Sequence, residues 1–161
     1  MEPKLISVGF GEYKVSQDPD SVLVVYGLGS CIGLSLYDPK AKVGGVIHIG
    51  LPYNEKKSKE KAFKYADTGI PLLVREIERI GGNRKRLAAK AAGGAKLLKF
   101  NYPIAQTDIG SRNTQATRAT LEKLTIRLLA EDVGGTFSRT FKFYLRNGLV
   151  LIRSMGGEHP L

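Results

Sequence analysis

The residues best suited to covalent chemistry in this chain are Cys31, its only cysteine, and His48, one of its two histidines. A thiolate is a strong nucleophile, and an imidazole within hydrogen-bond reach accepts the thiol proton at neutral pH. By itself a lone cysteine is a weak indication, because free cysteines are commonly small buried hydrophobes. His48 could equally be an ordinary core histidine. The elements predicted around the two residues favour the catalytic interpretation.

Two predicted strands carry these residues, one over 31–37 and one over 43–51. Successive side chains of a strand point to opposite faces. In both segments one face is apolar, and the other holds small or polar residues. Cys31 and His48 both lie on the second kind of face. The pattern therefore predicts that the two side chains share one face of a sheet.

A turn at Asp38-Pro39 connects the two strands and predicts a hairpin. With Pro39-Lys40 as a two-residue loop, Cys31 lies directly opposite His48. Directly opposed Cβ atoms are about 4.5–5.5 Å apart, which permits a thiol–imidazole hydrogen bond. A four-residue loop in the same register is an alternative, because a type I turn twists less favourably in a two-residue hairpin.

The segment before the cysteine, Gly27-Leu28-Gly29-Ser30, is a glycine-containing loop. Such a loop lets the backbone come close to a substrate. Amide groups around Gly29 and Ser30, together with that of Cys31, are candidates to bind a developing oxyanion. The alternative is an ordinary bend between two strands.

The remaining elements predict an α+β protein, because runs of strands with helices between them are not the repeating βαβ pattern of a parallel sheet. An apolar stripe predicts a helix over 68–80, and Asn113 is expected to cap a second helix that runs to 124. A short helical piece is expected at 96–100. Further strands are predicted at 5–10, 21–26, 86–92, 126–132, 139–145 and 149–153.

Composition restricts the class of protein further. The 161 residues fit one domain over 1–161, and the net charge of +10 comes from scattered Lys and Arg. This charge indicates a solvated basic surface, with nucleic-acid binding as the weaker alternative. Zinc-ligand spacings are absent, and no metal or cofactor is expected. One cysteine, no signal-peptide pattern and no apolar run of roughly 20 residues predict a cytoplasmic protein that is not membrane-inserted.

The run Gly27-Leu28-Gly29-Ser30-Cys31, followed by Asp38-Pro39 and then His48, resembles the chemoreceptor glutamine deamidase (CheD) family. Segments 64–68, 92–95, 109–113 and 130–135 are also similar to that family and occur in the same order. The resemblance covers roughly residues 6–157. It is therefore specific in extent as well as in motif.

Fold and function follow from this resemblance as expectations. It implies a three-layer α/β/β sandwich related to toxin deamidases such as cytotoxic necrotizing factor. It implies that Cys31 is the nucleophile and His48 the general base in hydrolysing receptor glutamine side chains to glutamate, through a thioester. A glutamate methylesterase activity is also implied. The implied partners are methyl-accepting chemotaxis receptors, as substrate, and a CheC-type response-regulator phosphatase.

One position departs from the family pattern. The family often has a threonine six residues before the cysteine to orient the histidine, and here that residue is Val25. A valine cannot hydrogen-bond an imidazole. The third catalytic role therefore stays open between a backbone carbonyl and another hydroxyl, or the protein is an impaired adaptor that binds receptor or phosphatase. The candidate hydroxyls are those of Ser21, Ser30, Thr68 and Ser111.

Overall fold

The computed structural model describes residues 2–97 and 109–161. Two α-helices lie within these residues, α1 (Ala66–Arg79) and α2 (Ile109–Lys123), with 3₁₀ turns at Ala62–Lys64 and Arg84–Arg86. The strands are β1 (Lys4–Ser7), β2 (Tyr13–Ser16), β3 (Ser21–Leu28), β4 (Ile32–Asp38), β5 (Val43–Ile49), β6 (Ala88–Gly93), β7 (Arg127–Val133), β8 (Arg139–Tyr144), β9 (Val150–Ser154) and β10 (Gly157–Pro160).

The strands form two mixed sheets. Sheet I has the order β2-β5-β4-β6-β7, and sheet II has the order β1-β3-β8-β9-β10. Each sheet contains one parallel pair, β6 with β7 in sheet I and β1 with β3 in sheet II, and its other pairs are antiparallel. The expected α+β class is confirmed.

Two apolar cores cover the two faces of sheet I. On one face, Ile70, Leu73 and Ile77 of α1 pack against Ile32 and Leu34 of β4, within a cluster that also includes residues of α2. The predicted stripe of α1 is therefore the face that the helix buries. Each such side chain contributes about 1.5–3 kcal/mol when fully buried.

The opposite face of sheet I packs against sheet II. Its small residues allow this close approach: a Cβ on Gly33 would lie 3.0 Å from Leu28 and 3.3 Å from Phe141 of sheet II. Val46 of β5 belongs to the same inter-sheet core as these two residues. The face of small or polar residues that carries Cys31 and His48 is thus the face of sheet I that packs against sheet II.

The register predicted for the β4–β5 hairpin is wrong by two residues. Gly33, and not Cys31, lies opposite His48, and Asp38 lies opposite Val43. The loop is residues 39–42, closed by a 2.8 Å hydrogen bond from the Lys42 N–H to the Asp38 carbonyl. Lys42 adopts a left-handed φ of 55°. A shift of two residues preserves the faces, so Cys31 and His48 still lie on the same side of sheet I.

Other boundaries differ for physical reasons. β2 and β10 were not predicted, because four residues at a sheet edge show too little alternation to be distinguished from loop. α2 is already helical at Ile109, so Asn113 lies inside the helix and does not cap it. The piece expected at 96–100 falls largely outside the described residues.

Candidate active site

Cys31 lies in the bend between β3 and β4, immediately before β4 begins. Its carbonyl accepts a 3.0 Å hydrogen bond from the Gly94 N–H. Its side chain is partly buried and packs against the inter-sheet core. The thiol is therefore held at the rim of the interface between the two sheets and remains accessible.

His48 lies in β5 opposite Gly33, whose missing side chain lets Leu28 and Phe141 of sheet II pack closely on this face. Cys31 precedes Gly33 by two residues, which makes Cys31 and His48 diagonal neighbours. In a regular antiparallel pair such neighbours are about 7–8 Å apart, still within reach of long or aromatic side chains. Between these two described residues the predicted direct hydrogen bond is absent.

A turn over residues 8–12 holds His48 from several sides. The Gly11 N–H donates to the His48 carbonyl, and the His48 N–H donates to the Glu12 carbonyl, both at 3.0 Å. The ring nitrogen Nδ1 lies 3.2 Å from the Val8 carbonyl oxygen. The Phe10 ring contacts the imidazole edge-on, with 5.7 Å between centroids. Since a carbonyl only accepts, Nδ1 carries the proton of the neutral imidazole, and Nε2 keeps a free lone pair.

The group that orients His48 is therefore a backbone carbonyl, one of the alternatives that the sequence left open. Val25 is fully buried in the inter-sheet core. The Thr68 hydroxyl donates to the Ala62 carbonyl at 2.6 Å. The Ser21 hydroxyl is hydrogen-bonded to another serine. The Val8 carbonyl bonds to Nδ1, the role expected of the family threonine.

Burial shifts the pKa values of both candidate catalytic groups. It raises the pKa of the Cys31 thiol above its ordinary value. It lowers the pKa of His48, an effect that the Val8 carbonyl and the Glu12 carboxylate oppose only in part. Both shifts favour an uncharged thiol beside an uncharged imidazole. The pair therefore suits general-base activation of the thiol during attack rather than a permanent thiolate.

The loop before β4 has its carbonyls tied to the surrounding structure. Three consecutive carbonyls each accept a hydrogen bond: Gly29 from the Ala95 N–H (2.9 Å), Ser30 from the Asn113 side chain (2.9 Å) and Cys31 from the Gly94 N–H (3.0 Å). The N–H groups of Ser30 and Cys31 donate to no acceptor within residues 2–97 and 109–161. These are the groups expected to bind an oxyanion.

The glycines of segment 92–95 are required by this packing. A Cβ on Gly93 would lie 2.1 Å from the Cys31 carbonyl oxygen, and one on Gly94 would lie 2.3 Å from the Thr114 hydroxyl. Both glycines have positive φ, 118° and 62°. Only glycine at positions 93 and 94 therefore allows the end of β6 to pack this closely against the cysteine loop and helix α2.

Two contributors to the site were missed from the sequence. Residues 8–10 of the turn over 8–12 were interpreted as the end of a strand over 5–10, although the Gly9-Phe10-Gly11 pattern is typical of a turn. Asn113 was interpreted as a helix cap.

Within the described residues no group of three or more His, Cys, Asp or Glu could hold a metal ion. No helix of residues 2–97 and 109–161 is long and apolar enough to cross a membrane.

A half-buried thiol, an imidazole oriented through Nδ1 and loop amides without an acceptor among the described residues are groups that a thiol-dependent acyl-transfer site would require. A family model described as CheD chemotactic sensory transduction matches residues 51–154. The chain belongs to the CheD family.

Curated relatives extend the match across the N-terminal third, where Cys31 and His48 lie. A protein of Symbiobacterium thermophilum named probable chemoreceptor glutamine deamidase CheD is 48% identical over 161 residues, covering 98% of each chain. A protein of the same name from Caldanaerobacter subterraneus subsp. tengcongensis is 45% identical, covering 97% of this chain and 96% of its own. Another from Archaeoglobus fulgidus is 42% identical, covering 95% and 96%.

Among solved structures, the crystal structure of Bacillus licheniformis hypothetical protein YfiH aligns with a TM-score of 0.47. The sequence identity is 15%, with 81% of this chain and 59% of that chain covered. A similarity at this level supports no conclusion about the function of this chain.

Proposed function

We propose that this chain is a protein-glutamine deamidase that hydrolyses glutamine side chains of methyl-accepting chemotaxis receptors to glutamate. Family membership and the names of the full-length relatives support the activity. The observation that carries the mechanism is the orientation of His48: the Val8 carbonyl holds its Nδ1, and its Nε2 has no hydrogen-bond partner within residues 2–97 and 109–161.

The proposal includes the finer architecture. Helices pack on one face of sheet I and sheet II packs on the other, which supports a three-layer α/β/β sandwich of the kind found in toxin deamidases such as cytotoxic necrotizing factor. Residues 1–161 then act as one catalytic domain. Because the proposed substrate is the cytoplasmic part of the receptor, a cytoplasmic location follows from the same proposal.

In the first step His48 Nε2 takes the thiol proton as Cys31 Sγ attacks the side-chain amide carbon of the glutamine. The carbonyl π electrons move to the oxygen, where the Ser30 and Cys31 N–H groups bind the negative charge. The protonated His48 then gives its proton to the departing nitrogen, because an amide anion is too poor a leaving group. Ammonia leaves, and a thioester remains on Cys31.

In the second step neutral His48 activates a water molecule that attacks the thioester. The carbon–sulfur bond breaks, Cys31 regains its proton from His48, and glutamate is released. No metal or organic cofactor takes part. The same groups would hydrolyse a glutamate methyl ester with methanol as the leaving group, so methylesterase activity is a secondary proposal.

An adaptor that binds receptor or a CheC-type phosphatase without catalysis is the second candidate. Val25, in place of a hydroxyl, and the missing hydrogen bond between Cys31 and His48 favour it. The basic nucleic-acid-binding alternative is supported only by the net charge of +10.

Mass spectrometry of a receptor fragment incubated with the protein separates these functions. Deamidation replaces NH₂ by OH on specific glutamines, whereas an adaptor leaves the fragment unchanged. We expect Cys31→Ser and His48→Ala each to lower turnover by more than about a thousandfold, with the double variant little worse, because both groups act in one step.

The matched control is His159→Ala, because His159 is the second histidine of the chain, is exposed and bonds to the Asp132 carboxylate rather than to Cys31 or His48. It should deamidate at the wild-type rate. Substantial turnover by Cys31→Ser would disprove the assignment of the nucleophile.

A further inference from the structure

The side chain of Asn113, in helix α2, joins the bend that carries Cys31 to the residue just after β5, the strand that carries His48. Its Nδ2 donates to the Ser30 carbonyl at 2.9 Å and to the Gly50 carbonyl at 3.1 Å. Ser30 immediately precedes Cys31, and Gly50 follows His48 by two residues. One fully buried amide group thus ties the cysteine loop to the strand of the histidine.

The chemistry of the amide defines its orientation. An NH₂ group has two hydrogens, and here each has its own carbonyl acceptor. The reversed orientation would press Oδ1 against two carbonyl oxygens. Oδ1 itself is buried and accepts no hydrogen bond from the described residues. Leaving such an acceptor unpaired costs about 1–3 kcal/mol, a cost that an apolar residue of similar size would avoid. We therefore infer that the two N–H donors of Nδ2, and not the volume of the side chain, explain why Asn113 suits this position.

Holding a carbonyl also directs the next amide. In a planar trans peptide the C=O and the following N–H point in opposite directions. Asn113 holds the Ser30 carbonyl toward α2, so the Cys31 N–H points away from that helix. The Ala95 N–H holds the Gly29 carbonyl in the same way and so directs the Ser30 N–H.

We propose that Asn113 is a positioning residue that presets the Cys31 N–H as an oxyanion donor. It acts through the Ser30–Cys31 peptide and does not touch the substrate. The inference rests on the proposed deamidation, and it adds that part of the transition-state stabilisation originates in α2, outside the bend that carries Cys31 and the strand that carries His48.

Two reactions of Cys31 separate this role from a general structural one. Deamidation passes through an oxyanion. Alkylation by iodoacetamide does not, because the thiolate displaces iodide from a saturated carbon. For Asn113→Ser and the uncharged Asn113→Ala we expect kcat to fall about 10- to 100-fold with KM changed little, since a single oxyanion donor is worth about 10²–10³. The rate of alkylation and its pH profile should stay within twofold of wild type.

The matched control is Thr117→Val, one helical turn further along α2. The Thr117 hydroxyl is also buried and unpaired among the described residues, so replacing it with a methyl group removes no hydrogen bond to them. This variant should keep both rates. Unchanged kcat in the Asn113 variants, or an equal loss of kcat and alkylation, would overturn the proposal. Failure of the wild-type protein to deamidate the receptor fragment would instead overturn the proposed function.

A measurement on the wild-type protein does not depend on the folding of variants. The thiol adds to a peptide aldehyde that mimics the glutamine side chain, forming a carbon–sulfur bond while the carbonyl oxygen takes the thiol proton. The Ser30 and Cys31 amide protons should move downfield in the NMR spectrum as they bind this oxygen. Shifts confined to other residues would overturn the proposal.

Discussion

Cys31 and His48 are each partly buried at the rim of the inter-sheet core, and burial acts on them in opposite directions. It raises the pKa of the thiol and lowers the pKa of the imidazole. Both shifts favour a neutral thiol and a neutral imidazole, so in the proposed mechanism the proton moves as the sulfur attacks. This distinguishes the site from cysteine enzymes with a permanent thiolate–imidazolium pair.

These shifts predict the pH dependence of both reactions of Cys31. The rate of alkylation by iodoacetamide should keep rising as the pH passes the ordinary pKa of a cysteine thiol, because the pKa of Cys31 is raised. The acid limb of deamidation should lie below the ordinary pKa of histidine, because a lowered pKa keeps His48 a neutral base at lower pH. Rates measured from acid to alkaline pH test both expectations. An alkylation rate that is already maximal at neutral pH would contradict the neutral pair.

Val25→Thr tests whether His48 needs a second orienting group. From the sequence, this change is expected to leave activity unchanged or to raise it. Because Nδ1 already bonds to the Val8 carbonyl, we now expect kcat within about twofold of wild type. Thermal unfolding should shift down, since a buried hydroxyl without a partner costs about 1–3 kcal/mol. A gain approaching tenfold, the worth of about one hydrogen bond, would show that the carbonyl alone does not orient the ring.

Among the elements, the β4–β5 hairpin sets which residue faces His48, and Asp38 organises its turn. Asp38 is fully buried, and its carboxylate accepts N–H groups of Lys40, Ala41 and Asn83 at 2.9–3.1 Å. Arg86 pairs with it at 2.9 Å. Burial alone would raise the pKa of Asp38, but Arg86 and the three amides lower it to about 2.

Asp38→Asn should destabilise the fold in a pH-dependent way. A depressed pKa in the folded state stabilises the protein above the unfolded value, and this contribution is lost as the pH falls through about 4 towards about 2. The shift corresponds to about 2 kcal/mol, so the variant should lose at least that at neutral pH, with a flatter acid dependence. Denaturant unfolding at neutral and acid pH measures this difference.

Asp18→Asn is the matched control, because its ion pair with Lys4 is exposed. Exposed pairs contribute about 0–1 kcal/mol. Equal losses in the Asp18 and Asp38 variants at neutral pH would show that burial of the Asp38 network adds nothing.

For the molecule as a whole, the proposed substrate requires a surface that accepts a helix. A glutamine on a helical bundle reaches Cys31 only if the rim of the site fits the surrounding helix. Phe10 contacts His48 and is 56% exposed, which gives this rim an apolar contact beside the site. The net charge of +10 favours an acidic partner, with an attraction that salt screens.

A CheC-type phosphatase that presents a similar helix should compete for this rim. We expect saturating phosphatase to protect Cys31 from iodoacetamide, and receptor fragment to restore the reaction as it displaces the phosphatase. Cys31 is the only cysteine of this chain, so the mass of the alkylated protein reports the site directly. Equal reactivity in the saturated complex would place the phosphatase elsewhere.

The sequence by itself determined the family, the candidate catalytic residues and most of the elements. The types of Cys31 and His48, the alternation that places them on one face and the apolar stripe of α1 are local properties, readable from spacing alone. The family resemblance in the cysteine loop is also local. These predictions agree with the structure because a period-two or period-3.6 pattern specifies faces, even when the register is wrong by two residues.

Tertiary structure alone decided how these residues are held. The hairpin register depends on the left-handed Lys42 and on the buried Asp38 network, which includes Asn83 and Arg86 from beyond helix α1. The Val8 carbonyl that orients His48 and the Asn113 amide that holds the cysteine loop come from residues 40 and 83 positions away from their partners. Backbone carbonyls are the same in every residue type, so no sequence pattern marks which of them will face an imidazole or a buried amide.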